Sequence, residues 1–110
     1  MLKYIRVFPE YGAYPVWLYD EDGDVIDTLL PEELRSDTFL DSLFDDLQER
    51  YNALFVDNKR EFSFRGFSSE EERDKYIQDW NKAVTLLKER VNPNIPVIEE
   101  LNPSTYDKYI

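Results

Sequence analysis

Carboxylates are the reactive groups this sequence offers in a pattern. Asp20, Asp22 and Asp24 alternate in Asp20-Glu21-Asp22-Gly23-Asp24, the spacing that opens a calcium-binding EF-hand loop. Such a loop also needs glycine at its sixth position and glutamate at its twelfth. Those places hold Val25 and Pro31, so the motif fails. Asp22-Gly23 between two apolar runs reads as a hairpin turn, because glycine accepts positive φ without a steric penalty. A second acidic set, Asp41, Asp45 and Glu49, recurs at i, i+4 and i+8, one row along a helix. Tyr11, Tyr14, Trp17 and Tyr19 lie beside the acidic hairpin, and aromatic residues are enriched where proteins grip partners. For Trp17 and Trp80 packing into an aromatic-rich core is the simpler reading.

Chemistry beyond carboxylates is largely excluded. The chain has no His and no Cys, which removes imidazole acid–base catalysis, Ser-His triads, thiol nucleophiles and ordinary zinc sites. Its three glycines, Gly12, Gly23 and Gly66, are too scattered to form a phosphate-cradling loop. Carboxylate-only catalysis of the glycosidase or magnesium kind needs a cleft that 110 residues rarely build. The reading is of a non-catalytic protein, without cofactor or metal, that works by binding.

The elements that must carry these residues follow from periodicity. Lys3 to Phe8, Val16 to Tyr19 and Val25 to Leu29 read as three strands, the last two joined at Asp22-Gly23. Pro31 to Leu34 reads as a short helical turn opened by proline. Ser36 or Asp37 then caps a long helix whose stripe is Leu40, Leu43, Phe44, Leu47, Tyr51, Leu54 and Phe55. Glu61 to Arg65 alternates polar with aromatic residues and reads as a fourth, half-buried strand. Phe62, Phe64 and Phe67 are read as core. Ser68 or Ser69 starts a second helix with the stripe Tyr76, Ile77, Trp80, Ala83, Val84, Leu87 and Val91, stopped by Asn92-Pro93. The fold expected is α+β: an antiparallel sheet of about four strands with two long helices on one face, in the order β-β-β-α-β-α. A single domain over 1–92 is expected to end in an extended, proline-containing tail over 93–110. Within that tail Val97 to Leu101 either packs back on the body or adds an edge strand.

Charge divides the chain sharply. The net charge is −11, yet residues 10–49 hold thirteen acids and one base, a net of −12, leaving +1 on the remainder. Like charges at i, i+4 destabilise a helix by a few tenths of a kcal/mol per pair. The plain reading is a face that keeps the protein soluble. A concentrated field of one sign also speeds association with a basic partner and repels nucleic acid. No 18-residue apolar run and no signal-peptide pattern occur, so a cytoplasmic protein without membrane contact is expected.

Tyr14-Pro15-Val16-Trp17-Leu18-Tyr19-Asp20-Glu21-Asp22-Gly23, then Leu30-Pro31-Glu32-Glu33-Leu34 and Glu61-Phe62-Ser63-Phe64, together resemble small bacterial immunity proteins of polymorphic toxin systems. The resemblance covers residues 3–91 and transfers no site residue. It implies a cytoplasmic protein that binds and neutralises a cognate toxin domain, often a basic nuclease. On that reading Asp20, Asp22, Asp24, Asp41, Asp45 and Glu49 supply charge towards a protein partner with a basic surface, and Tyr11 and Tyr14 supply apolar anchors. Direct nucleic-acid binding is not expected. Two other readings explain the same acidity: a phage or mobile-element DNA mimic, and a structural or adaptor subunit.

Overall fold

The computed structural model describes residues 2–101. Strand β1 (Tyr4–Val7) is followed by β2 (Val16–Tyr19) and β3 (Val25–Asp27), then by a 3-10 turn (Glu32–Leu34). Helix α1 (Thr38–Asn52) leads into a hairpin of β4 (Phe55–Asp57) and β5 (Phe62–Phe64). Helix α2 (Glu70–Arg90) and strand β6 (Val97–Glu99) complete the described chain.

The main sheet has the order β3-β2-β1-β6. Alternation in β1 sends Ile5 and Val7 to the inner face, both with no exposed surface, and Tyr4 and Arg6 to the outer one. Its neighbour β2 runs antiparallel, from Tyr4 opposite Tyr19 to Val7 opposite Val16. Inner residues of both strands join one core with Leu40, Phe44 and Leu47 of α1 and Trp80, Ala83, Val84 and Leu87 of α2. Both helices therefore lie on one face of the sheet.

Two sequence expectations change and one open alternative is resolved. The sheet is mixed, because β6 pairs with β1 in parallel, Arg6 opposite Ile98. The edge-strand alternative for Val97 to Leu101 is the one adopted, at Val97–Glu99. What was expected as the fourth strand does not join this sheet: β5 pairs with β4 alone, Phe55 opposite Phe64. Helix α1 consequently stops at Asn52. Ala53 N–H still donates to the Glu49 carbonyl at 3.0 Å, but the Leu54 carbonyl accepts from Arg65 and Gly66, at 2.6 and 3.1 Å. That interaction draws the chain out of the helix and into the hairpin. Residues 102–110 of the expected tail lie outside the described residues.

The helix starts follow the sequence. Asp37 caps α1, its Oδ1 accepting from Leu40 N–H at 3.0 Å. Ser69 caps α2, its Oγ accepting from Glu72 N–H at 3.1 Å. Arg90, at the end of α2, reaches Asp37 Oδ2 at 2.5 Å, and Arg50, at the end of α1, reaches Asp79 at 2.7 Å. The helices are antiparallel. The Leu40 amide, and then Arg90, hold the Asp37 carboxyl below its ordinary range.

Among the described residues no helix covers the outer face of the sheet. Tyr4 stacks on Tyr19 at 4.8 Å between ring centres, and Phe8 on Trp17 at 4.6 Å. Arg6 sits over the Phe8 and Tyr19 rings and grips Glu100 with two hydrogen bonds of 2.7 Å. Of the two tryptophans only Trp80 is in the core. Trp17 is half-buried on this outer face, its Nε1 donating to the Phe8 carbonyl at 3.3 Å.

Candidate partner-binding surface

The segment between β1 and β2 is held along α1 at two points. Gly12 N–H donates to Asn52 Oδ1 at 2.9 Å, at the end of the helix. Tyr14 Oη donates to Asp41 Oδ1 at 2.9 Å, near its start. Gly12 has φ +75°, a left-handed conformation that glycine adopts without strain. The connector therefore runs beside the acidic row and lines it with tyrosines.

Burial, then the hydrogen bond to Asp41, pushes the Tyr14 hydroxyl far above the phenol range, so it stays a proton donor. Its ring packs 6.0 Å from that of Phe44. At the other end Tyr11 Oη donates to Asp57 Oδ2 at 2.8 Å. The Tyr11 ring meets Phe55 and Phe62 edge-on at 5.0 and 4.9 Å.

Between these anchors Asp41, Asp45 and Glu49 extend over about 12 Å of helix. Asp45 and Glu49 are exposed. Partial burial, together with the charges of Asp41 and Glu49, raises the Asp45 carboxyl above its ordinary value. The neighbouring Asp46 differs, because Arg50 pairs with it at 2.9 Å. The row is uncompensated where it faces water.

The sign of that shift yields an expected result. A carboxyl raised in the folded state penalises folding once ionised, and the penalty vanishes below the unfolded value of about 3.9. Asp45→Asn removes two like-charge pairs of a few tenths of a kcal/mol each. Thermal unfolding at pH 7 and low salt should show the variant about 2 °C more stable. Its advantage should disappear below about pH 3.9.

The Asp20, Asp22 and Asp24 turn stands apart from this row, at the far end of β2, roughly 13 Å of strand away. Asp20 Oδ1 accepts from the amides of Asp22 and Asp24 at 2.9 and 3.0 Å, and Gly23 takes φ +82°. Carboxylate oxygens of the three aspartates lie within 4.8 Å of one another, yet the first of them is already committed to the turn. The eight candidate residues thus divide into a patch of five and a patch of three.

The aromatic cluster around Tyr11 was not legible beforehand. Phe67 is core, but Phe62 is 57 % exposed, stacked on Phe55 at 5.5 Å. The alternation Glu61-Phe62-Ser63-Phe64 placed both rings on one side. The extra information was that β4 and β5 form a sheet too small to be covered throughout. Among the described residues no helix is long and apolar enough to cross a membrane.

Architecture and surface together describe an α+β domain whose most developed feature is a face rather than a cleft, a class that includes the immunity proteins of toxin systems. The model of the Serratia CdiI immunity protein-like family matches residues 3–98, from β1 into β6, and the chain belongs to that family. No curated protein matches the sequence.

Proposed function

We propose that the protein neutralises a cognate toxin domain by covering a basic, nuclease-like surface with the α1 face. Asp41, Asp45 and Glu49 supply the charge, Tyr14 and Tyr11 the anchoring rings, and the Asp20–Asp24 turn a second acidic contact. The observation that carries this reading is the row of Asp41, Asp45 and Glu49 along one helix face, with Asp45 and Glu49 exposed and the Asp45 carboxyl raised by partial burial and by its two like-charged neighbours. A fold maintains such a row against its own stability when the charge is used elsewhere. A toxin that handles phosphates has a basic cleft, and an acidic face can occupy it or dock beside it. The protein then acts by occupancy, without turnover and without touching nucleic acid.

The test is co-expression with the product of the gene immediately upstream. That product should be toxic alone and harmless with this chain, and the two should purify as a one-to-one complex. Raising salt from about 0.1 to 1 M shortens the screening length from about 10 to 3 Å, so association should slow by at least about tenfold. A harmless neighbour that forms no complex would overturn the immunity reading. A complex indifferent to salt would overturn the part played by the acidic row.

A further inference from the structure

A groove of about 290 Å³ lies between the β2–β3 hairpin and the 3-10 turn. Leu2, Leu18, Ile26 and Pro31 give it apolar lining, and Glu32, Glu33 and Arg35 its charged lining. Leu18 and Pro31 are anchored, the first 3 % exposed and the second among the fully buried side chains. Ile26 is 49 % exposed and its neighbour Val25 48 %. Of these two β-branched residues on the edge strand, Ile26 lines the groove.

The approach to the groove is acidic. From Asp20 to Glu33 the chain has seven acids and no base. Arg35 also lines the groove, its Nε donating to the Leu30 carbonyl at 3.2 Å, so that two acids and one base border it and the excess is acidic. At about 290 Å³ the volume lies at the small end of ligand clefts, suited to a protruding side chain. Apolar lining, an acidic excess at the border and an acidic approach select an apolar side chain carried between cations.

We propose that this groove is a second docking point for the toxin, receiving a leucine- or phenylalanine-sized side chain flanked by arginine or lysine. The inference rests on the immunity reading and extends it from a charged face to a shaped pocket. The groove supplies burial of one anchor, and Glu32 and Glu33 meet the cations beside it. The Asp20–Asp24 turn adds to the field that draws the segment in.

The probe is a set of blocked pentapeptides followed through methyl resonances of the whole protein. Gly-Arg-Leu-Arg-Gly should shift the Ile26 and Leu18 methyls saturably. Gly-Glu-Leu-Glu-Gly and Gly-Arg-Ser-Arg-Gly should each bind at least about tenfold more weakly. The exposed changes Glu32→Lys and Glu33→Lys together should weaken the arginine peptide about tenfold and spare the fold. Unmoved Ile26 methyls, or equal binding of the glutamate peptide, would overturn the proposal.

A second measurement separates this inference from the reading beneath it. Ile26→Ser should raise the Kd of the complex with the upstream-encoded product at least about tenfold. An unchanged complex would sink the groove and leave the immunity reading standing. Peptide binding at the groove with no complex would sink the immunity reading and, with it, the toxin as the occupant of the groove.

Discussion

Trp80→Ala should lose about 3–5 kcal/mol of stability, a large part of the 5–15 typical of a domain. Trp80 has no exposed surface and packs at 6.2 Å from the Tyr76 ring. Its Nε1 also donates to Glu99 Oε1 at 2.9 Å, so one side chain ties α2 to β6. The alanine variant leaves a cavity and deprives that oxygen of a donor, though Leu101 N–H still reaches it at 2.6 Å. Trp80→Phe keeps much of the packing and loses the donor, so about 1–3 kcal/mol should disappear. Urea denaturation gives both values. A cost under about 1 kcal/mol for the alanine variant would mean that α2 does not depend on this contact.

The second large effect concerns binding. Asp41→Asn, Asp45→Asn and Glu49→Gln together keep side-chain shapes and the acceptor for Tyr14, and remove three charges. Association with the toxin domain should slow by about ten- to a hundredfold at low salt. The same variant should be slightly more stable than the native chain, because the self-repelling row is gone. The pairing of slower binding with higher stability is the signature to look for. Unchanged association in stopped-flow measurements, with the variant intact, would move the docking site away from α1.

The parts of the fold that could be read in advance are those where local pattern decides. Ile5 and Val7 alternate with Tyr4 and Arg6 because one face of β1 is buried, and Asp22-Gly23 fixes the turn between β2 and β3. Ser69 and Asp37 cap the helices as their spacing implies. The errors arise where distant residues decide. Leu54 and Phe55 satisfy a helical stripe and a strand equally well. Only Arg65 and Gly66, eleven and twelve residues beyond Leu54, pull them out of the helix. Val97-Ile98-Glu99 is too short to announce its direction, and its parallel pairing with β1 is set by the span of α2.

The candidate surface shows the same division. The i, i+4, i+8 spacing placed Asp41, Asp45 and Glu49 on one row without any structure. The hydrogen bond from Tyr14 to Asp41 joins residues 27 apart, and no spacing rule reaches that far. Nor did the charge count reveal that β2 separates the hairpin turn from the helix row. A net of −12 over residues 10–49 reads as one field, whereas the molecule presents two, one of them beside an apolar groove.

The parallel pairing of β1 with β6 bears on timing in the cell. Strand β1 needs a partner that lies more than ninety residues later, Ile5 opposite Val97. Until residues 97–99 arrive, one edge of β1 stays open and Arg6 lacks Glu100. Closing so long a loop slows folding relative to local contacts. A ribosome that stalls before residue 97 would therefore release a chain with its outer sheet face unfinished and Trp80 without its Glu99 acceptor. The finished sheet therefore exists only in chains translated through β6, and the amount of working protein is set by synthesis past that point.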